Sequence, residues 1–248
     1  MHFVLYVFIG FAAQCIDGTL GMAYGVSCRT FLKSVAGLPS ALASAVVHAS
    51  EVPTTLVSGI SHLKLKNVAL DLLWKLLIPG IIGGVLGAWF LSDFGDRLEP
   101  FIDVYLIIMG VVIFTKAFRK QREKPRKVGA YVFPLGFAGG FLDATGGGGW
   151  GPVVTSTMIA TDHDVKKTIG TVNTAEFLVT VAETTTFATL VSDFTSYWQI
   201  ILGLVVGGVI AAPLAAWLCK KIPVRPLLGI VGALIIGLNV WNLISYFM

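Results

Sequence analysis

Asp143-Ala144-Thr145-Gly146-Gly147-Gly148-Gly149-Trp150-Gly151-Pro152 lies inside an apolar segment, and a thinner copy, Asp17-Gly18-Thr19-Leu20-Gly21-Met22-Ala23-Tyr24-Gly25, lies 126 residues earlier. Each is entered through the same triplet, Gly136-Phe137-Ala138 and Gly10-Phe11-Ala12. A run of glycines carrying an aspartate interrupts a helix. At membrane depth such a break is tolerated only where it is buried in protein or lines a wet cavity. Two breaks at corresponding places point to a transporter built from an internal repeat, with its site at the breaks.

The rest of the chain fits a bilayer. Of 248 residues, 55% are hydrophobic and only 13% are charged, about half the roughly 25% usual in soluble domains. The mean hydropathy is +0.81. Apolar runs recur throughout, each near the ~20 residues a spanning helix needs. The segments cover residues 2–32 (interrupted at Asp17–Gly21), 39–61, 72–91 and 101–118, then 129–160 (interrupted at Asp143–Gly149), 168–190, 198–218 and 227–247. Between the two sets of four lies a basic linker, 119–128. Val47 and Glu51 recur as Val172 and Glu176, and Trp74 with Gly83-Gly84 recurs as Trp198 with Gly207-Gly208. The expected architecture is one all-α polytopic membrane domain over 1–248, with repeat one at 1–118 and repeat two at 129–248. The net charge of +4 implies no nucleic-acid partner, because the basic residues lie between apolar segments, where they set orientation. Cys15, Cys28 and Cys219 show no metal or redox spacing. The first apolar run lacks a basic leader and flows into the repeat, unlike a cleavable signal peptide.

Charge placement chooses between two topologies. If the interrupted segments cross once, the Lys and Arg residues divide almost evenly between the two sides. If each dips in and returns as a glycine-broken hairpin, 15 of the 18 basic residues fall on the linker side, leaving Arg29, Lys33 and Arg97 opposite. The positive-inside rule favours the hairpins and a cytoplasmic linker. Each repeat then comprises one broken hairpin plus three transmembrane helices. Because three is odd, the two repeats have inverted topology.

The breaks carry the first candidate chemistry. Backbone N–H groups at the start of a half-helix, helped by the helix dipole, form an anion site. Asp17, Thr19 and Gly21, with Asp143, Thr145, Gly146, Gly147, Gly148 and Gly149, are therefore candidate substrate-binding residues. The glycines would also serve close helix packing, and the aspartates would also serve as caps. Polar stripes come second. Ser40, Ser44, His48, Glu51, Thr55, Ser58 and His62 share one helical face, as do Asn173, Glu176, Thr180 and Glu183. Such faces must look into the bundle, and intramembrane carboxylates are functional candidates by default. Glu51 and Glu176, with His48 one turn from Glu51, are candidates for proton coupling, and Asn173 joins the substrate set. Pro53 is expected to kink its helix. Overlapping GxxxG pairs at Gly80/Gly84 and Gly83/Gly87, and one at Gly203/Gly207, predict close helix contacts. Trp150, directly after the break, either walls the cavity or packs in the core.

The doubled glycine-aspartate motif, with four segments in each half, resembles the sulfite exporter TauE/SafE family of bacterial membrane permeases. The resemblance spans the chain and is carried chiefly by the 143–152 motif. It implies movement of a small anion, sulfite or another sulfur-containing or organic anion, across the inner membrane. The first motif has fewer glycines than the second. No Walker A, HExxH or GxSxG pattern is present, so neither ATP hydrolysis nor an enzyme is expected, and no cofactor or metal is implied. The anion and the lipid bilayer are the partners, and a homodimer is compatible. A cation transporter using the same carboxylates, or a non-transporting membrane subunit, stand as alternatives.

Overall fold

A computed structural model describes residues 2–118, 129–155, 157–158, 165–192, 194–218 and 224–248. The basic linker 119–128, Cys219, Lys220 and Lys221 fall outside the described residues. Helices account for nearly all of the rest, with no strand among the described residues. In chain order they are α1 (His2–Leu20), α2 (Tyr24–Ser34), α3 (Ser40–Lys64), α4 (Leu70–Lys116), α5 (Val132–Gly146), the short π-helical turn α6 (Trp150–Thr155), α7 (Val165–Leu190), α8 (Trp198–Leu218) and α9 (Val224–Phe247).

Polarity is inside out relative to a soluble protein. Segments of α4 and α8, Leu70–Gly95 and Phe194–Ala215 (the latter taking in the turn before α8), are long and apolar enough to cross a bilayer. Shorter apolar stretches follow at Phe3–Thr19, Pro100–Thr115 and Gly232–Phe247. These helices expose large side chains such as Phe8, Ile78, Ile108, Ile210 and Ile244. The polar helices α3 and α7 are enclosed instead. Every member of both polar stripes is buried. A lipid-facing surface and a polar interior is the arrangement a bilayer selects, since no water is available to satisfy a polar side chain facing outward.

Two boundaries differ from expectation. Helix α1 continues through Asp17, and α5 continues through Asp143. The breaks are confined to 21–23 and 147–149. The physical reason is that Gly21 and Gly147, not the aspartates, leave the right-handed region, with φ of 65° and 64°. Each then ends its helix as a left-handed cap whose N–H, or that of the next residue, returns to the aspartate carbonyl. The first limb is therefore 19 residues, about 28 Å at 1.5 Å per residue, longer than the half-helix anticipated. The second difference is α4, one helical run where two segments were expected. Gly87 faces Ala144, whereas Tyr105 faces Gly146, only two residues on. Eighteen residues of straight helix would separate Gly87 from Tyr105 by about 27 Å. The run therefore bends sharply, within a stretch that holds Gly95 and Pro100, and its two limbs act as the two expected segments.

Pairing between helices repeats across the halves. On α1 and α8, Gly10 meets Leu204, Gly207 meets Phe11 and Ala215 packs farther along α1 at Gly18, so the two helices run in the same direction. On α5 and the first limb of α4, Gly136 meets Leu76, Gly140 meets Gly80, Gly83 meets Phe137 and Gly87 meets Phe141, again in parallel. A Cβ at any of these glycines would strike a neighbouring backbone, so the small residues set the helix spacing, as the GxxxG pattern predicted. The opposite direction holds elsewhere. His48 approaches Glu183 and Ser58 approaches Asn173, so α3 and α7 are antiparallel. Gly110 meets Ile236 and Gly232 meets Phe114, so the second limb of α4 and α9 are antiparallel as well.

Candidate functional site

The two breaks touch each other reciprocally. A Cβ on Gly25 would strike Gly147, and one on Gly151 would strike Gly21. These pairs exchange under the 126-residue relation. Glycine at 25 and 151 lets the start of each second limb lie directly on the other repeat's break. Gly148, at φ 159°, is pressed against Val26, and Gly147 carries the Arg29 side chain on its face. Gly146 faces Tyr105 and Gly149 faces Leu142. In this arrangement the four glycines are close-contact points rather than an open cradle.

The aspartates act across the breaks in the same way in both repeats. Asp143 accepts a hydrogen bond from the Trp150 N–H at 3.0 Å. Asp17 accepts one from the Tyr24 N–H, seven residues on, as Trp150 is from Asp143. The backbone donors expected to hold an anion at these two positions are thus held by the protein's own carboxylates. A buried N–H left without water must find an acceptor, and the aspartate is the nearest. The hydroxyls of Thr19 and Thr145 also turn inward. Thr19 donates within its own helix at the Cys15 and Ile16 carbonyls, and Thr145 donates to Phe141. Neither points a donor at the break. Trp150 is fully buried, donates its indole N–H to the Val172 carbonyl at 3.1 Å, and lies over Gly80 and Gly139. It is a core residue.

Beside the breaks, α3 and α7 bring ionisable groups together. His48 Nδ1 lies 2.9 Å from Glu51 Oε2 and 3.2 Å from Glu183 Oε2. Its ring stacks on Phe187, with centroids 5.7 Å apart. His48, Asp143 and Glu183 each offer a ligand atom, all within 4.8 Å of one another. Asp143 Oδ2, Glu183 Oε1 and His48 Nε2 have no hydrogen-bond partner among the described residues. Glu183 fits because Gly84 faces it; a Cβ there would strike the carboxyl. Farther along α3, Asn173 Nδ2 reaches Ser58 Oγ at 3.3 Å and His62 Nε2 at 3.4 Å. Glu176 is buried on the same face of α7. Pro53 lies inside α3, which continues through it, with Thr54 and Thr55 hydroxyls bonded to the Glu51 carbonyl.

One residue of the site was misjudged from sequence. Arg29 counted as a topology charge on the face opposite the linker. It is fully buried, with Nε donating to Ser44 Oγ at 3.1 Å and its methylenes on Gly147. Its spacing from Gly25 was the available signal, because under the 126-residue relation Arg29 matches Thr155, which donates to the Gly21 carbonyl at 2.7 Å. Of the other two charges on that face, Lys33 makes a paired contact with both oxygens of buried Asp103, at 2.9 Å each. That ties α2 to the second limb of α4.

The family model described as sulfite exporter TauE/SafE matches residues 6–241. The chain belongs to that family. A relative from Bacillus subtilis (strain 168), named "Probable membrane transporter protein YtnM", is 41% identical over 252 aligned residues, covering 98% of this chain and 83% of that protein. Both names point to a membrane transporter rather than to an enzyme. The resemblance drawn from the doubled motif therefore holds, and the enclosed polar helices of this TauE/SafE member belong to a helical membrane protein.

Proposed function

We propose that this protein is a secondary transporter for a small anion, sulfite or another sulfur-containing or organic anion, in the inner membrane. The observation that carries this is the reciprocal seating of the two breaks with one fully buried arginine, Arg29, whose methylenes lie on Gly147. A guanidinium suits an oxyanion because its fork of N–H groups matches two oxygens at once. Asn173 completes the candidate substrate set, because the Trp150 and Tyr24 N–H groups at the breaks are held by Asp143 and Asp17. The carboxylates Glu51 and Glu176 would repel an anion when ionised, so their place beside it supports proton coupling, with His48 bonded to Glu51.

Inverted repeats with a cytoplasmic linker are part of the same proposal, and two pairings support them. Hairpins at the breaks make α3 antiparallel to α7 and the second limb of α4 antiparallel to α9. Single crossings would make both pairs parallel. The observed order of contacts is antiparallel in each. Rocking of one repeat against the other about the meeting of the breaks would then alternate access.

The test is flux into proteoliposomes of sulfite, sulfoacetate, thiosulfate and acetate, with and without a pH gradient. Saturable flux of one of these, lost in Arg29→Gln, is the expected result. No anion flux together with saturable divalent-cation flux would sink the proposal in favour of the second reading. That reading, cation transport, draws on the His48–Asp143–Glu183 trio.

A further inference from the structure

The repeat relation pairs Arg29 with Thr155, His48 with Asn173, Ser58 with Glu183, Glu51 with Glu176 and Asp143 with Asp17. Contacts follow the same exchange. His48 approaches Glu183 in one place, and Ser58 approaches Asn173 in the equivalent place. The core thus contains two equivalent half-sites with different chemistry. One holds Arg29, His48, Asp143 and Glu183. The other places Thr155, Asn173, Asp17 and Ser58 at the same positions. Symmetry alone would suggest two coupling carboxylates, Glu51 and Glu176. The side chains around them are not symmetric, however. Glu51 is bonded to an imidazole, whereas the residue one turn from Glu176 is an amide that cannot change its protonation.

We propose, building on the anion-transporter reading, that a single coupling proton is carried by the His48–Glu183–Asp143 cluster and that its counterpart, with Asn173 and Ser58 in place of His48 and Glu183, carries none. Three features of geometry support this. The His48 Nδ1 stands between carboxylates on two different helices, Glu51 on α3 and Glu183 on α7. An imidazole nitrogen carries one hydrogen and satisfies one of them at a time. In this structure the bonded partner is Glu51. The Asp143 and Glu183 carboxyls lie close enough to share a hydrogen bond when one of them is protonated. Finally, buried oxygens of both and His48 Nε2 have no other hydrogen-bond partner among the described residues, and orphaned polar atoms at this depth are costly unless they are used.

The ionisable and charged groups facing the cluster are Glu51 from α3, Arg29 from α2 and Asp143 from α5, with Glu176 farther along α7 and Asp17 of α1 beyond it. From α4, Gly84 faces Glu183 and brings no charge, while the phenol of Tyr105, on Gly146, stands near Asp143 and Arg29. Loading adds a proton to the Glu183 carboxylate, which then donates to Asp143 or is exchanged with His48. Unloading returns the same proton to water on the opposite side. No other bond changes. Because Asp143 also holds the Trp150 N–H across the break, loading is felt where the second limb of that broken segment begins. Loading removes one of the two carboxylate charges of this half-site and so lowers the repulsion that an anion beside Arg29 meets, which couples proton to anion.

The experiment uses the full chain in proteoliposomes with sulfite as the probe. Wild-type uptake should rise when the outside is acid. In Glu183→Gln and in His48→Asn, uptake with and without the gradient should become equal, while exchange of labelled for unlabelled sulfite persists at a reduced rate. In Glu176→Gln, flux should fall yet still follow the gradient. Retained gradient dependence in Glu183→Gln, or its loss in Glu176→Gln alone, would overturn the proposal. Infrared titration of the carboxyl C=O stretch in purified protein separates this from the anion reading. If wild type moves no sulfite, the anion reading fails, and the proton site is judged by that signal alone. A pH-dependent carboxyl band absent from Glu183→Gln and present in Glu176→Gln supports the site. A band unchanged in Glu183→Gln overturns it. So does a wild type with no such band that binds Zn²⁺ saturably through Glu183. Should Glu183→Gln fail to reach the membrane, His48→Asn gives the flux readout, and retained gradient dependence there overturns the proposal.

Discussion

The two breaks of this protein are built on one plan and finished differently. At each, a left-handed glycine ends the first limb, an aspartate one turn back takes the N–H seven residues on, and a glycine of the second limb lies on the other repeat's break. Around the second break the neighbours are Arg29, His48 and Glu183. Around the first, the matching positions hold Thr155, Asn173 and Ser58. Backbone geometry has therefore been kept in both copies while charge is concentrated in one. The lesson is that close packing of two crossed breaks demands the same small residues twice, whereas the charged side chains around them are free to differ between the copies.

The largest effect should come from crowding the break that bears Arg29. Gly147→Ala places a Cβ at φ 64° and directly into the Arg29 side chain. A left-handed alanine costs roughly 1–2 kcal/mol and overpacking a further 1–3. Gly21→Ala meets the same dihedral, but only side-chain atoms of Ile169 and Thr155 at 3.3 Å or beyond. It should cost about 1–2 kcal/mol. Thermal unfolding in detergent that ranks Gly21→Ala as the more damaging would show that the breaks are not packed as described.

Removing Arg29's charge should come next. Hydrogen bonds to charged groups are worth about 1.5–3 kcal/mol, or roughly 10- to 150-fold in affinity. Arg29→Gln should weaken sulfite binding by that factor, and Arg29→Lys should restore only part of it, since a point charge lacks the fork. Calorimetric affinities equal to wild type would remove Arg29 from the substrate site and leave it a structural cation. A smaller change belongs to the half-site that holds Asn173. Asn173→Ala deletes its bonds to Ser58 and His62 and should cost about 1 kcal/mol of stability, without altering the response of flux to a pH gradient. Loss of that response would erase the distinction between the two halves.

The smallest effect should be a gain. Ala23, in the position matching Gly149, has φ 92°, a conformation that disfavours any side chain. Ala23→Gly should relieve up to about 1 kcal/mol of strain, offset in part by glycine's greater freedom when unfolded. A lowered unfolding temperature would show that the thinner glycine motif of repeat one is optimal as it stands.

Much of the architecture was legible along the chain because it rests on periodicity. Polar residues at three- and four-residue spacing on α3 and α7 had to face inward, and all are buried. GxxxG pairs marked the close contacts of α4 and α8, since in lipid only small residues let backbones approach. The doubled glycine-aspartate motif marked the two breaks that meet in the core. Less legible was anything that depends on which side chain ends opposite which. Asp143 and Asp17 looked like residues at the head of a half-helix, yet each sits at the foot of the preceding one and reaches across. Arg29 looked like a flanking charge, because an arginine near the end of the apolar segment 2–32 gives no sign of whether lipid headgroup or protein will neutralise it.

By itself, then, the sequence determined that this is a helical membrane protein with a doubled core motif and enclosed carboxylates, because hydropathy and helical spacing are local properties that a bilayer enforces residue by residue. Only the tertiary structure decided that the breaks cross, that His48 lies between Glu51 and Glu183, and that Arg29 and Thr155 hold matching places on opposite breaks. Those facts join residues more than a hundred positions apart. They follow from how antiparallel helices and crossed breaks pack, which no short-range pattern encodes.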